Sequence, residues 1–299
     1  ERALREIVRG ATEGRRRNYN QLLGLVFEDH PYARPVEGTA ESIGRITRDR
    51  VEEFYSTNYV AGSTVVAIVG NFDENSAVAS LGDLFGDYPR GEAPRPEIDS
   101  PRRGGRTVDM TFVDVPEARA SVAYLAVPAP HKDHPAIRVL TSIIGGGGSA
   151  RVPAALGDRG ADIADDSGAY CFCAAEEAAI VISMESDDID ECLLMVEEEV
   201  RRLRREPVSD EELRIARNRV TGELARKGQT NLVRALQLAI DYLATGHVDV
   251  VDMFIEQISR VSKDDVLRVA NEYLVAPAVA IVRPGRAAGR SDDGRGKGI

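Results

Sequence analysis

The chain contains an internal duplication, and this feature constrains its fold more than any other. Residues 41–51 (ESIGRITRDRV) recur at residues 256–266 (EQISRVSKDDV), about 215 residues later. A second match, about 213 residues apart, joins residues 66–69 to residues 279–282, since both read VAIV. The repeating unit is therefore the size of a domain rather than of a solenoid repeat. The sequence predicts two homologous domains.

The first copy of the repeat is short. The second copy closes near Arg283 and the first near Gly70, so a unit of about 213 residues that ends at Gly70 would begin well before Glu1. We therefore expect residues 1–88 to be the C-terminal part of the first domain. We also expect this domain to be incomplete in the chain.

Composition excludes several classes of partner. The chain has 299 residues, 43% hydrophobic and 29% charged, as in two globular domains of ordinary type. Its net charge of −11 repels nucleic acid and acidic membrane surfaces, so we expect neither as a partner. No run of 18 apolar residues predicts a membrane span. Three cysteines, Cys171, Cys173 and Cys192, lack zinc-finger spacing and cannot all pair, which fits a reducing, cytoplasmic compartment.

Local patterns organise the first 106 residues. Residues 1–28 have apolar side chains at helical spacing, and the proline at position 31 ends this predicted helix. The β-branched run at residues 63–69 predicts a buried strand, and residues 73–85 predict a helix. Residues 89–106 are rich in proline and mixed charge, which indicates a linker. We expect the domain boundary there.

Residues 107–285 form the predicted second domain. Its strands are expected at 107–115, 120–127, 169–174, 179–185 and 279–282, with helices between and after them. Helix caps are expected at Thr39, Thr47, Ser209 and Ser262. Adjacent strands followed by runs of helices predict an α+β fold, with an antiparallel sheet covered by helices on one side. The tail, 286–299, is predicted to be disordered.

Four stretches resemble the inverted-zincin metallopeptidases, a family that includes pitrilysin, insulin-degrading enzyme and the mitochondrial processing peptidase. In order they are HPYARPVEGT at 30–39, ITRDRVEEFYSTNYVAGSTVVAIVGNFD at 46–73, SDEELRIARNRVTGEL at 209–224 and VSKDDVLRVANEYL at 261–274. The layout is most similar to the smaller bacterial two-domain members. The resemblance implies a zinc cofactor and hydrolysis of peptide or unfolded polypeptide substrates.

Members of this family bind zinc with an H-x-x-E-H helix, whose glutamate activates water. This chain contains no such motif. The family's third zinc ligand is a downstream glutamate, and the resemblance assigns that role to Glu6, which lies 24 residues before His30. His131 and His134, separated by Asp133 and Lys132, indicate a polar turn rather than a metal-binding pair.

The resemblance also points to an Arg and Tyr pair in the second domain that holds the substrate backbone. Gly157 stands where the arginine is expected, and Ile163 or Ala164 where the tyrosine is expected. Arg159 and Tyr170 lie nearby at a different spacing. The resemblance therefore implies that the pair is lost from this chain.

The glycine run 145–148 resembles the glycine-rich loop of the processing peptidase's non-catalytic subunit, which handles substrate. This implies substrate contacts for Gly146, Gly147 and Gly148. As bare sequence, four glycines between helices indicate a flexible turn. Both interpretations remain open.

Three functional hypotheses follow. In the first, the chain is part of the zinc-bearing subunit of a two-subunit protease, with its H-x-x-E-H helix outside this chain and a homologous partner that supplies the Arg and Tyr pair. Such a chain is expected to be inactive alone. In the second, it is a non-catalytic scaffold or assembly subunit without metal, like the core proteins of the respiratory chain. In the third, it is a duplicated α+β binding module, which requires four ordered matches by chance.

Overall fold

The computed structural model of the protein describes residues 14–94, 97–101, 107–113, 115–158, 168–173, 177–248 and 250–285. The first helices are α1 (Gly14–Phe27), α2 (Ala40–Gly44), α3 (Arg48–Asn58) and α4 (Glu74–Phe85). The strands are β1 (Thr107–Val113), β2 (Ala118–Ala126), β3 (Gly168–Cys173), β4 (Ala178–Ser186) and β5 (Ala278–Pro284). The later helices are α5 (His134–Gly145), α6 (Arg151–Asp158), α7 (Ile189–Arg205), α8 (Asp210–Lys227), α9 (Asn231–Thr245), α10 (Val250–Arg260) and α11 (Lys263–Tyr273).

The five strands form one mixed sheet in the order β1-β5-β2-β4-β3. β1 and β5 are parallel, with Thr107 opposite Ala278, and the other three neighbouring pairs are antiparallel. The α+β class predicted from the sequence is confirmed. The expectation of a wholly antiparallel sheet was wrong for β1, because β5 returns from the end of α11 and enters the sheet between β1 and β2.

Helices α5 to α8, α10 and α11 cover one face of the sheet. Alternate strand residues such as Val122, Ile180 and Ile281 point to this face, as the two-residue period of a strand requires. They meet fully buried helix side chains that include Ile137 and Val266. Burial of each such side chain stabilises the fold by roughly 1.5 to 3 kcal/mol. This is the larger of the two cores.

Helix α1 covers the opposite face, which the sequence predicted to be bare. Leu22 and Phe27 are fully buried there against Ala123, Val181 and Ala280, all from strands of the second repeat. The predicted helix over residues 1–28 is thus confirmed for 14–27, while residues 1–13 lie outside the described residues. A helix that belongs to the first copy of the repeat therefore packs on the sheet of the second.

The predicted caps are confirmed, because each depends only on local sequence. Thr39 and Thr47 accept hydrogen bonds from the backbone at the start of α2 and α3. Ser209 and Ser262 each close a reciprocal capping box at the start of α8 and α11. The proline after His30 marks the exit from α1, which ends at Phe27.

The buried strand predicted over residues 63–69 was wrong. Residues 64–69 carry no assigned strand, and Val66 and Ile68 are about half exposed, at 48% and 46%. None of the five described strands pairs with this segment. Its β-branched composition favours extended backbone, but a strand also requires a partner that accepts its hydrogen bonds.

The start of the predicted linker is held in place. Ala61 and Gly62 donate backbone hydrogen bonds to the carbonyl oxygens of Pro89 (2.8 Å) and Gly91 (2.9 Å). The rest of the linker is described only in part, and the tail predicted over 286–299 lies outside the described residues. Within the described ranges, no helix is both long and apolar enough to span a bilayer.

Candidate functional site

The glycine run links α5 to α6 and lies beside the start of β3. Gly145 is the last residue of α5, and the Gly146 amide donates a hydrogen bond of 2.9 Å to the Ser142 carbonyl. The Ala150 amide then bonds to the Gly147 carbonyl at 2.8 Å, one residue before α6 begins. The run is therefore a hydrogen-bonded turn between two helices.

Close packing explains why glycine occupies this turn. A Cβ added to Gly145 would lie 2.2 Å from the Ala169 backbone nitrogen in β3, which is a severe overlap. Gly147 has φ +126°, a conformation that side chains disfavour, and an added Cβ would meet the Arg219 guanidinium at 2.4 Å. At Gly148 nothing lies within 4 Å of an added Cβ. The turn is fixed at its first three glycines, and Gly148 faces open space.

An ion pair anchors the helix that follows. Arg151, the first residue of α6, donates from Nε to Oε1 of Glu212 at 2.7 Å and from Nη2 to Oε2 at 3.3 Å. Glu212 also accepts from the Ser209 amide at 2.8 Å. Burial would raise the pKa of Glu212, but the hydrogen bonds from Arg151 and Ser209 outweigh it and lower the pKa to about 2. Glu212 is therefore a carboxylate that fixes α6 against α8.

Beside β3 lies a cleft of about 420 Å³, and each of its lining residues has a polar group in its side chain. It is lined by Arg15, Arg16, Asn18, Tyr19, Arg119, Ser121, Tyr170 and Ser183, from α1, β2, β3 and β4. Burial raises the pKa of Tyr170 to about 12, with a further contribution from Tyr19. Burial also raises the pKa of Tyr19. Both phenols keep their protons at neutral pH, and that of Tyr170 is hydrogen-bonded to the side chain of Ser183.

A buried polar network positions the α1 side of this cleft. Asn18 Nδ2 donates to the Ala280 carbonyl of β5 at 2.8 Å, and Asn18 Oδ1 accepts from the Ser121 hydroxyl at 2.5 Å. The Ser121 and Ser183 hydroxyls are 2.9 Å apart. These hydrogen bonds connect one residue of α1 with three strand residues. They therefore fix the position of α1 across the sheet.

The histidines have structural partners. His30 Nδ1 accepts from the Tyr32 amide at 3.2 Å, and His131 Nδ1 accepts from the Asp133 amide at 3.1 Å. His134 Nδ1 donates to the Val127 carbonyl at 3.2 Å, and burial lowers the pKa of His134 to about 4. His30 and His131 thus bond to amides two residues away, whereas His134 bonds to a carbonyl seven residues earlier in the chain, just after β2.

The residues that the structure describes do not fit a zinc site. No three His, Cys, Asp or Glu side chains among them form a group that could hold a metal ion. The predicted zinc ligand Glu6 lies outside the described residues, as do Arg159, Ile163 and Ala164. The structure therefore leaves the metal-ligand assignment of Glu6 as a prediction.

Gly157 is described and lies in the last turn of α6. Nothing lies within 4 Å of a Cβ added at this position. The Cβ atom of a longer side chain at residue 157 would therefore contact no described atom. The structure places Gly147 against Arg219, Gly145 against Ala169 and Gly146 against Ser142, while Tyr170 belongs to the separate cleft beside α1.

Sequence reasoning missed Arg219 and the cleft residues Tyr19, Arg119 and Ser183. These contacts join residues far apart in sequence, such as Asn18 and Ser121. No motif spans such distances. The available signal was an arginine and tyrosine cluster, Arg15, Arg16 and Tyr19, on the polar side of a helix that also has an apolar face.

Comparisons with known proteins agree with this architecture. Residues 45–220 match the family model described as the peptidase M16 inactive domain. A Mycobacterium tuberculosis protein named as an uncharacterized zinc protease is 28% identical over 275 residues, which cover 85% of this chain and 59% of that protein. The mitochondrial-processing peptidase subunit beta of Saccharomyces cerevisiae is 22% identical over 288 residues, which cover 89% of this chain and 61% of the subunit.

Among solved structures, one described as a peptidase M16 inactive domain from Pseudomonas fluorescens superposes with a TM-score of 0.83. Its sequence identity is 19%, and the superposition covers 96% of this chain and 69% of that chain. This likeness shows the fold. The chain itself spans about three fifths of the length of the two sequence relatives.

Proposed function

Because the chain belongs to the peptidase M16 family, we propose that it is part of a zinc metallopeptidase that hydrolyses peptide bonds. We assign it to the zinc-bearing subunit of a two-subunit protease. The observation that carries the proposal is the family match over residues 45–220, together with a relative named as a zinc protease that aligns with 85% of the chain.

The zinc of this proposal is held by residues that the structure does not describe. We assign Glu6 as one ligand, on its position 24 residues before His30. The two histidines of the H-x-x-E-H helix would precede Glu1 in the full-length protein. Helix α1 supports this arrangement, because it begins soon after Glu6 and packs on the sheet that also carries the cleft.

The cleft beside α1 is our candidate for contact with a peptide. Its guanidinium and phenol groups are donors, and peptide carbonyl oxygens are acceptors. Tyr170 is in β3, an edge strand of the sheet, so an extended peptide could approach it from the side. The glycine turn, with Gly148 facing open space, is a second candidate contact.

Gly157 supports the need for a partner subunit. A residue without a side chain cannot supply the guanidinium that we expect at this position to hold the substrate backbone. Correct positioning of the substrate contributes a large share of enzymatic rate acceleration. We therefore propose that a homologous subunit bearing the Arg and Tyr pair completes the active protease.

The test is an assay of the full-length protein on unfolded peptides, alone and mixed with a homologous subunit that carries the pair. We expect little activity alone and a rise of at least about tenfold on mixing. A Gly157→Arg variant should gain activity without the partner, because its side chain has room. Gly157→Ala is the matched control, and it should gain none. Full activity of the unmixed protein would contradict the partner assignment.

A scaffold role without metal is the alternative. It predicts a full-length protein that retains no zinc and hydrolyses no peptide, whether mixed or alone. The same experiment therefore separates the two functions. Activity on mixing that is lost in a Glu6→Gln variant would exclude the scaffold role.

A further inference from the structure

A groove of about 330 Å³ runs between α7 and the connection from α11 to β5. Val122 and Val279 in its lining belong to the larger core, on the face of the sheet that α7 and α11 cover. The cleft that contains Tyr170 lies on the other face, beside α1. The groove is therefore a separate feature, on the opposite side of the sheet from the candidate peptide contact.

The floor of the groove is apolar. It is formed by buried valines of the sheet and of α7, namely Val122, Val196, Val200 and Val279. The volume lies near the lower limit of the range for small-molecule sites. A group the size of a water molecule takes about 30 Å³ in a liquid, so the groove has room for about eleven such groups. Its size and its floor fit a short, unbranched apolar chain.

The rim of the groove carries part of the basic run at residues 201–205, RRLRR. Arg201 and Arg204 are three residues apart and so lie on one face of α7. Arg201 is paired with Glu198. Among the residues that the structure describes, none forms a hydrogen bond or an ion pair with the exposed guanidinium of Arg204. A planar fork of N–H donors that matches a carboxylate is thus available at the edge of the apolar floor.

The backbone is strained where the connection from α11 to β5 borders the groove. Ala276 has φ +51°, in the left-handed region that residues other than glycine seldom adopt. It also precedes Pro277, which restricts its backbone further. Such residues persist only where the surrounding structure fixes them, and they cluster at functional and ligand-binding sites. The position of Ala276 therefore supports a ligand site at this end of the groove.

We propose that this groove binds a medium-chain acyl carboxylate of about eight to ten carbons. The acyl chain lies on the valine floor, where it is removed from water, and the carboxylate accepts hydrogen bonds from Arg204. The bound ligand connects α7 with the α11–β5 connection. The site does not depend on zinc or on peptide hydrolysis, because it lies on the other side of the sheet from the cleft of Tyr170.

The charges of the rim favour an anion at Arg204. Glu197 is the one acidic residue that lines the groove, and it precedes Arg204 by seven residues on α7. Seven residues of an α-helix separate the two Cα atoms by about 10 Å along the helix axis. That distance is about one Debye length at physiological salt, so Glu197 repels a carboxylate at Arg204 only weakly. A neutral chain of the same length would gain nothing from the guanidinium.

The first test is calorimetric titration of the full-length protein with sodium octanoate. We expect one octanoate per chain, bound at least about tenfold more tightly than octanamide, which lacks the charge, and than butyrate, which buries fewer methylenes. Arg204→Gln should weaken octanoate at least about tenfold and leave octanamide unchanged. Arg205→Gln is the matched control, because it removes the same charge from the next residue, which does not line the groove. Its affinity for octanoate should stay within about twofold.

Equal weakening of octanoate by Arg204→Gln and Arg205→Gln would overturn the proposal, since it would reflect the net charge of the protein alone. Tighter binding of an acetylated dipeptide that ends in leucine than of octanoate would assign the groove to polypeptide C-termini and also overturn it.

The second test locates the ligand by amide hydrogen exchange. The Val275 amide donates to the Tyr273 carbonyl at 2.9 Å, beside the groove. Saturating octanoate should slow its exchange at least about fivefold in the wild-type full-length protein, because the ligand stabilises this connection. The same octanoate concentration should leave it unchanged in Arg204→Gln. Binding of octanoate that leaves exchange of the Val275 amide unaltered in the wild-type protein would place the ligand elsewhere and overturn the proposal.

Discussion

The Arg268 guanidinium donates a hydrogen bond of 2.6 Å to Oδ1 of Asp133, and this pair fastens α11 to the turn that begins α5. Tyr273 donates to the other carboxylate oxygen at 2.9 Å. The hydrogen bond from Arg268 holds the pKa of Asp133 below its usual range, although burial opposes this shift. Two helices that are far apart in sequence are thus joined through one buried carboxylate.

An Asp133→Asn variant should therefore lose about 2 kcal/mol of unfolding free energy, because Arg268 and Tyr273 would face a neutral amide that cannot accept at both atoms. Urea denaturation measures this loss. Glu272→Gln is the control, since Glu272 contacts the same arginine at 3.5 Å on the exposed side. Its loss should stay below about 0.5 kcal/mol. Equal losses of unfolding free energy in the two variants would show that the buried contacts of Asp133 stabilise the fold no more than the exposed contact of Glu272.

His134 predicts a pH dependence. Its folded pKa of about 4 lies below the ordinary value of 6.5, because burial disfavours the imidazolium. Between these values the unfolded chain binds more protons, so stability is full above pH 6.5 and falls as the pH drops towards 4. The contribution is on the order of 3 kcal/mol.

His134→Gln should flatten the rise in unfolding free energy between pH 4 and pH 6.5. His247→Gln, at an exposed position after α9, should leave the slope unchanged. Denaturant titrations at several pH values test this. A slope that survives in His134→Gln would mean that other groups cause it.

The glycine turn predicts a contrast between two neighbouring positions. Gly145→Ala should cost about 3 kcal/mol, because its Cβ would overlap backbone of β3. Gly148→Ala should change stability by less than about 0.5 kcal/mol, since it meets only open space. Thermal unfolding of the two variants decides between a packed turn and a loose one. Similar, small effects would restore the flexible-turn interpretation.

The anchor of α6 allows a similar comparison. Glu212→Gln removes the charged partner of Arg151 and weakens the cap at Ser209, so we expect a loss of about 1 to 2 kcal/mol. Glu211→Gln, one residue earlier, removes only an exposed pair with Arg214 and should cost less than about 0.5 kcal/mol. Chemical denaturation measures both. An equal cost would contradict the anchoring role of Glu212.

Features encoded by neighbouring residues could be predicted from the sequence. The caps at Thr39, Thr47 and Ser209 depend on residues three positions apart, and all three form as predicted. The α+β class followed from the order of strands and helices, and the family resemblance from four ordered stretches is confirmed.

Features that depend on distant residues could not be predicted. Segment 64–69 has strand composition, but it pairs with none of the described strands. The parallel pairing of β1 with β5 and the position of α1 depend on residues such as Asn18 and Ala280, 262 positions apart. For the same reason, no local pattern could reveal that Gly147 lies under Arg219.

The central claim is that this chain comes from the zinc-bearing subunit of a protease, and zinc stoichiometry of the purified full-length protein tests it most directly. We predict one zinc per full-length chain after mild chelation, lost in a Glu6→Gln variant and retained in a Glu13→Gln control. We also predict that the 299-residue chain holds no stoichiometric zinc, because one carboxylate cannot replace a complete ligand set. A full-length protein without zinc, or one that keeps it in Glu6→Gln, would contradict the account.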